Sequence, residues 1–279
     1  MANFSLATTE DGSLSLHENS LDELYHNRAG AFSEAVINYV EPAMQFLTMA
    51  RAELSQLRVL DSCFGLGYNS LALASRLISS KQFSLEVEAI EIDQDVLDVV
   101  PQVIAQSCFA PLEKRSLAAL NFKVSVCDLR QFLLERAATQ SKFYDVIFHD
   151  PFSPKKVPEL WSVDLFSHYF NCMAEDSVLL TYACAPAVRA ALISLGFKVF
   201  RTTGLGRKNG GTIAIKSNNV ELVAALLQAE ATCIFAIEGE ELRRLGKSSQ
   251  VPYRDSNLTD NSETILARRE EEQAAFRLK

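Results

Sequence analysis

Four short apolar runs in this 279-residue chain each end in residues that can do chemistry. The first ends in DSCFGLGYN, where Gly65 and Gly67 let the backbone approach a ligand closely and the helix that follows offers free amide donors. A lone Gly-x-Gly is equally a tight strand-to-helix turn, so its meaning depends on the other three ends. The second run ends in Glu91-Ile-Asp93, about 24 residues beyond Gly67, a distance at which a carboxylate meets both hydroxyls of a ribose and accepts from each. Solvated turn acids are the alternative. The third ends in Cys127-Asp128, a carboxylate that can accept from an adenine amino group, cap the next helix, or do both. The fourth runs into HDPFSPKKVPELW (149–161), with Asp150 directly after the strand, three prolines, two lysines and aromatic side chains. That is costly composition for a mere connection, and it is expected to face a substrate.

The elements that must carry these ends follow from the apolar pattern. Strands at 58–60, 85–92, 122–126, 144–148 and 177–182 alternate with helices at 71–77, 94–105, 129–137, 162–173 and 187–195. Helical crossovers between strands imply a parallel sheet covered on both faces. Two short strands, 198–202 and 212–216, flank a glycine-bearing loop and should pair antiparallel. The expected fold class is therefore α/β, a doubly wound, mostly parallel seven-stranded sheet with its last strand reversed. Ligands of such sheets bind beyond the carboxyl ends of the strands, where all four chemical segments fall. Before the sheet, FSLATTEDGSLSLH alternates as a β-hairpin does, and 30–46 has helical spacing that Pro42 should end or bend. After it come a helix at 221–230, the polar SSQVPYRDSNLTDNSE and a charged helix at 263–277. The expected organisation is an accessory segment (1–29), a main domain (30–220) and a helical C-terminal extension (221–279), with no internal repeat.

Composition narrows the function. With 48% apolar and 22% charged residues the chain is ordinary globular protein, and 27 basic against 35 acidic side chains (net charge -8) argue against indiscriminate coating of nucleic acid, though not against a local basic patch. No run of about 18 apolar residues is present, so no membrane span is expected. MANFSLATTEDGS lacks the basic and apolar regions of a secretory signal. Six cysteines stand singly, without the spacing of a metal site, and read as buried thiols of a cytoplasmic protein that uses no metal. FGLGYNSLAL lacks the phosphate-loop pattern, which argues against kinase and nucleotide-hydrolase chemistry. Ser70 stands where a nicotinamide-binding turn prefers its third glycine, which disfavours a dehydrogenase.

Taken together, VLDSCFGLGYNS, EAIEID, VCDLRQF and YDVIFHDPFSP resemble the successive motifs of a class I S-adenosyl-L-methionine-dependent methyltransferase, with Cys63 departing where a glycine is usual. TIAIK matches that fold's reversed seventh strand. More narrowly, YHNRAGAFSEA, HDPFSPKKVPELWSVDLF, TYACAPAVRAALISLGF and GLGRKNGGT are similar to the methyltransferase module of the MnmC family, in the stand-alone, DUF752-like form, from the N-terminal hairpin to Lys216. The resemblance implies a Rossmann-like fold and S-adenosyl-L-methionine as cofactor, held by Cys63, Gly65, Gly67, Tyr68, Asn69, Glu91, Asp93 and Asp128, with His26 and Glu34 closing over it.

It further implies methylation of the 5-aminomethyl group of a uridine at tRNA position 34, without the FAD-dependent oxidase domain of fused members. The partner would be the tRNA anticodon stem-loop, with other wobble-uridine modification enzymes as further partners. Asp150 would accept a hydrogen bond from the amine and offset its developing charge. Phe152 would wall off solvent, between Pro151 and Pro154, which stiffen the loop. Lys155, Lys156, Arg207 and Lys208 would meet phosphate, with Trp161 or Tyr25 as a stacking platform. For Trp161 a core anchor is the favoured reading. The RRLGK and YRD stretches would touch RNA or dock onto the domain. The rivals are a polyamine aminopropyltransferase, which shares the sheet and an aspartate near the same strand end, and a catalytically silent binding module.

Overall fold

The computed structural model describes residues 3–51, 55–78, 84–112, 115–137, 142–205 and 210–278. The N-terminal alternation becomes β1 (Phe4–Thr8) and β2 (Leu14–Glu18), an antiparallel pair that β3 (Glu23–Leu24) extends to three strands. A rod follows: α1 (Ala31–Glu34), a π-helical stretch (Ala35–Val40) and α2 (Glu41–Ala50). Here the expectation that the helix ends at Pro42 is corrected, since helical backbone runs on through it. Proline has no N–H to donate and its ring crowds the carbonyl four residues back, and the wider π turns placed just before it make room for the ring.

The main body alternates as expected: β4 (Gln56–Asp61), α3 (Tyr68–Leu77), β5 (Ser84–Glu91), α4 (Gln94–Leu97), α5 (Val100–Ile104), β6 (Phe122–Val126), α6 (Leu129–Ala137), β7 (Tyr144–Phe148), α7 (Val163–Cys172), β8 (Met173–Thr181), α8 (Pro186–Ser194), β9 (Lys198–Thr202) and β10 (Thr212–Lys216). The single helix expected at 94–105 is two, because Pro101 occupies the first turn of α5 and starts a new helix there. Beyond them lie α9 (Val220–Gln228), β11 (Ile234–Phe235), α10 (Gly239–Arg244) and α11 (Ser262–Arg277).

The sheet order is β11-β9-β10-β8-β7-β4-β5-β6. Strands β4 to β8 are parallel, and β10 runs antiparallel between β8 and β9, the reversed hairpin the sequence predicts. The two-residue β11 adds an eighth strand at the β9 edge. From β4 the chain winds outward through β5 to β6, then returns to β7 and winds the other way, so the crevice above β4 and β7 is the switch point where such sheets bind ligands. Successive strand residues serve opposite cores. Val59, Val146 and Phe148 face the side of the N-terminal rod and α3, whereas Leu60, Ile147 and Leu179 face Trp161, Phe166 and Tyr169.

Gly67 shows how tightly the turn into α3 is built. Its φ is +79°, and a Cβ there would lie 2.4 Å from Cζ of buried Phe64. Gly67→Ala is expected to cost about 2 to 4 kcal/mol through left-handed strain and displacement of that ring. An unchanged denaturation midpoint would contradict this.

The C-terminal extension docks on the second core. Ser162 and Tyr253 form a parallel bridge, Ser262 donates to Glu159 at 2.7 Å, and Arg269 donates to Val251 O while lying over the Tyr253 ring. In the YRD stretch Arg254 pairs with Glu272, whereas Arg243, Arg244 and Lys247 of RRLGK gather round Glu240 at the surface.

Candidate functional site

A cavity of about 690 Å³ opens above the carboxyl ends of β4 to β7, roofed by residues 21–28 from the end of the N-terminal sheet. Its floor includes Ser62, Cys63, Gly65, Glu91, Cys127, Asp128, Asp150 and Phe152. The parallel sheet is why residues so distant in sequence meet: each stands at or just beyond the carboxyl end of β4, β5, β6 or β7. The described lining carries six carboxylates (Glu23, Glu34, Glu91, Asp128, Asp150, Glu159) against two arginines (Arg28, Arg130), a potential that favours a cationic ligand.

Glu91 is fixed by backbone. Its Oε2 accepts from Gly65 N at 2.8 Å, and its Oε1 from Ile92 N and Asp93 N at 2.9 and 3.0 Å. Burial pushes the carboxyl above its ordinary range against the pull of those amides. Gly65, at φ +52°, lies beneath the Tyr25 ring, which a Cβ would meet at 3.4 Å, so the turn and the roof close together at this point. Asp128 faces the cavity and also serves as an N-terminal cap, accepting from Arg130 N at 2.7 Å. The capping role is thus filled while the residue still faces the cavity.

Asp150 follows β7 and His149. Its Oδ2 accepts from Asn69 Nδ2 at 2.9 Å, and the Tyr39 hydroxyl donates to the same carboxylate while accepting from Tyr182 N at 3.0 Å. Burial first, and the charge of Asp150 next, hold the Tyr39 phenol far above its usual pKa, so it stays a donor. The loop after Asp150 is braced in turn. Pro151 O accepts from Tyr182 Oη at 3.0 Å, Phe152 O accepts from Trp161 Nε1 at 2.9 Å, and the Phe152 ring stands edge-on to Tyr25 with centroids 4.9 Å apart. Trp161 is fully buried and thus the core anchor, not a platform.

His26 and Glu34 line the cavity from above, His26 bonded to Ser15 Oγ and Glu34 accepting from Asn27 N at 2.7 Å. Several expected ligand residues lie elsewhere. Tyr68 points away along α3, donating to Leu14 O and accepting from Gln106, so it joins the hairpin to the body. Gly67 sits behind Phe64, and Asn69 reaches Asp150 without lining the cavity. Asp93 caps α4 through Asp95 N. Lys155 is exposed and outside the lining, and Lys156 donates to Leu21 O at 2.6 Å, tying the loop to the roof. Arg207 and Lys208 lie outside the described residues.

Sequence reasoning missed Asp61, Tyr39, Tyr182, Arg28 and Arg130. The strand-end rule reaches two of them: Asp61 is the last residue of β4 and Tyr182 the first after β8. Asp61 is fully buried, its Oδ2 accepting from Ser70 at 2.6 Å and its Oδ1 without a partner. Burial, joined by the charges of Asp150 and Glu91, raises its carboxyl well above the ordinary range.

Two histidines, His149 and His26, set a pH signature. His149 Nδ1 lies 3.0 Å from Tyr169 Oη and 3.2 Å from Ser62 Oγ, and burial pushes the ring down to about 3; burial likewise brings His26 to about 4. Because the unfolded chain takes up these protons near pH 6.5 and the folded one does not, both groups destabilise the fold as pH falls below 6.5. His149→Gln is expected to flatten the stability-versus-pH slope by one proton between pH 6 and 4, read by urea titration. An unchanged slope would place the proton elsewhere.

Among the described residues no helix is long and apolar enough to cross a membrane, and no group of three His, Cys, Asp or Glu is arranged to hold a metal. Comparison with known proteins agrees with this geometry. Residues 88–217 match the model of a family described as S-adenosyl-L-methionine-dependent methyltransferase. An uncharacterised protein of Methanocaldococcus jannaschii is 29% identical over 95% of this chain and 71% of its own. The tRNA 5-methylaminomethyl-2-thiouridine biosynthesis bifunctional protein MnmC of Marinomonas is 22% identical over 81% of this chain, and that of Cupriavidus necator 29% over 69%; the chain spans about a third of their length (36% and 32%). The crystal structure of MNMC2 from Aquifex aeolicus superposes with a TM-score of 0.75 and 25% identity, covering 99% of this chain and 86% of that one. Fold, site and relatives converge on S-adenosyl-L-methionine-dependent methyl transfer: residues 88–217 match that family's model, and the chain is similar to MnmC proteins in sequence and to MNMC2 in structure.

Proposed function

We propose that the enzyme methylates the primary amine of 5-aminomethyl(-2-thio)uridine at the wobble position of tRNA, in the cytoplasm. The observation that carries the proposal is Asp150: a carboxylate at the cavity wall, fixed by Asn69 and Tyr39, beside a loop braced at both Pro151 and Phe152. The name of the MnmC relatives, a tRNA 5-methylaminomethyl-2-thiouridine biosynthesis protein, supports the substrate.

The donor's fit rests on the chain's own groups. Glu91 offers lone pairs for two ribose hydroxyls, Asp128 an acceptor for the purine amino group, and Gly65 a surface without a side chain, with Cys63, His26 and Glu34 completing the enclosure. When bound, S-adenosyl-L-methionine supplies an electrophilic methyl group on a cationic sulfur, which the acidic lining suits. Asp150 accepts a hydrogen bond from the substrate amine, aims its lone pair, and stabilises the ammonium that forms. Phe152 and Tyr25 present an aromatic pair for the uracil ring, and exposed Lys155, with Arg207 and Lys208, supplies phosphate contacts.

Mass analysis of nucleosides from tRNA bearing 5-aminomethyl groups, incubated with donor and enzyme, tests the assignment. The expected product is the same nucleoside one methyl heavier at the amine. Donor binding without any transfer to this nucleoside would overturn it.

A further inference from the structure

The C-terminal extension lies behind the wall of the cavity at Asp128, in contact with Arg130. Asp255, 125 residues from Arg130 in sequence, is fully buried. Its Oδ1 accepts from Thr259 N and Asp260 N at 2.9 and 3.0 Å, its own N donates to Asp164 at 2.7 Å, and its Oδ2 takes Arg130 Nη1 at 3.2 Å. Arg130 Nη1 also donates to Asp260 O at 2.9 Å, while Nη2 reaches Asp128 Oδ2 at 3.3 Å. The guanidinium is thus anchored behind Asp128 by two groups of the extension and touches the cavity carboxylate with its remaining edge. Where an amide replaces the Asp255 carboxylate, Arg130 has one full carboxylate partner left, Asp128, and would be drawn more tightly onto it, turning that carboxylate toward the guanidinium.

We propose that Asp255 is a positioning residue for the donor: acting through Arg130, it sets the orientation of Asp128 and so the enzyme's preference for a purine bearing a 6-amino group. The C-terminal extension is then part of the donor site although Asp255 itself is fully buried and outside the cavity lining. This rests on the reading of Asp128 as acceptor of that amino group.

The test is isothermal titration of the full chain with S-adenosylhomocysteine and with its analogue in which hydrogen replaces the 6-amino group. Wild type should favour the amino compound roughly 10-fold or more, as expected for a hydrogen bond to a charged acceptor, and Asp128→Asn should lose that preference. Asp255→Asn, which keeps an oxygen for Thr259 and Asp260, should bring the ratio close to unity. A purely structural role would weaken both ligands alike and leave the ratio at the wild-type value, which would overturn the proposal. Arg130→Lys, whose single ammonium cannot bridge the same partners, should behave like Asp255→Asn and supplies the answer if that variant does not fold. A wild type without preference would remove the reading of Asp128 and the proposal with it. A preference that Asp128→Asn abolishes and both other variants retain would overturn the role of Asp255 alone.

Discussion

Asp150→Asn is expected to lower kcat by about 10² to 10⁴-fold while leaving the donor's Kd within a few-fold of wild type. The side chain keeps its volume, so Asn69 and Tyr39 still have an oxygen to donate to. What disappears is the negative charge opposite the ammonium that forms during transfer, and the amide's N–H₂ can no longer accept from the amine. Asp150→Ala goes further and leaves the buried Tyr39 hydroxyl without that acceptor. Single-turnover transfer of labelled methyl from a preformed donor complex measures the chemical step, and a separate donor titration measures binding. Turnover at the wild-type rate would remove Asp150 from the chemistry. A loss confined to donor affinity would place it on the donor side of the cavity.

The strand ends are what the sequence made legible. A buried parallel strand reads as an apolar run, its carboxyl end is the first polar residue after the run, and the sheet brings such ends together whatever lies between them. Cys63, Gly65, Glu91, Asp128 and Asp150 were reachable on that rule, and all line one cavity. The rule fails just inside a helix. Tyr68 and Asn69 stand one residue apart at the start of α3, yet they point to the hairpin and to Asp150, because successive helical residues are rotated by about 100° and local sequence does not say which direction is the cavity.

Contacts across long sequence distances were not legible for a different reason. Tyr39 reaches Asp150 from the N-terminal rod, and Arg130 meets Asp255 from the extension. Nothing local marks either partner: Tyr39 falls in an apolar helical pattern and Asp255 in a polar stretch that reads as loop. Polar side chains of this kind acquire meaning through burial, which tertiary packing alone decides. The path of the chain through Pro42 is a related case, since the compensating π turns have no signature of their own in composition.

Glu91→Gln carries the largest effect expected on the donor. A carboxylate facing two ribose hydroxyls makes two charge-assisted hydrogen bonds, and the amide replacing it makes neutral ones at best and turns one position into a donor against a hydroxyl. The loss is about 2 to 4 kcal/mol, or about 10² in Kd, with kcat at saturating donor close to wild type. Gln keeps an acceptor on one side only, for Gly65 N or for Ile92 N and Asp93 N, whereas Glu91→Ala takes it from all three, and its still lower melting temperature separates that variant from Gln. The pH dependence should follow the same group. With its carboxyl raised by burial above the ordinary 4.5, Glu91 is protonated in the empty site at a higher pH than a solvated glutamate, so donor affinity should begin to fall earlier as pH is lowered, and Glu91→Gln should abolish that dependence. Weakened binding with the wild-type pH profile retained would mean that another acid, with Asp128 the nearest alternative, holds the ribose.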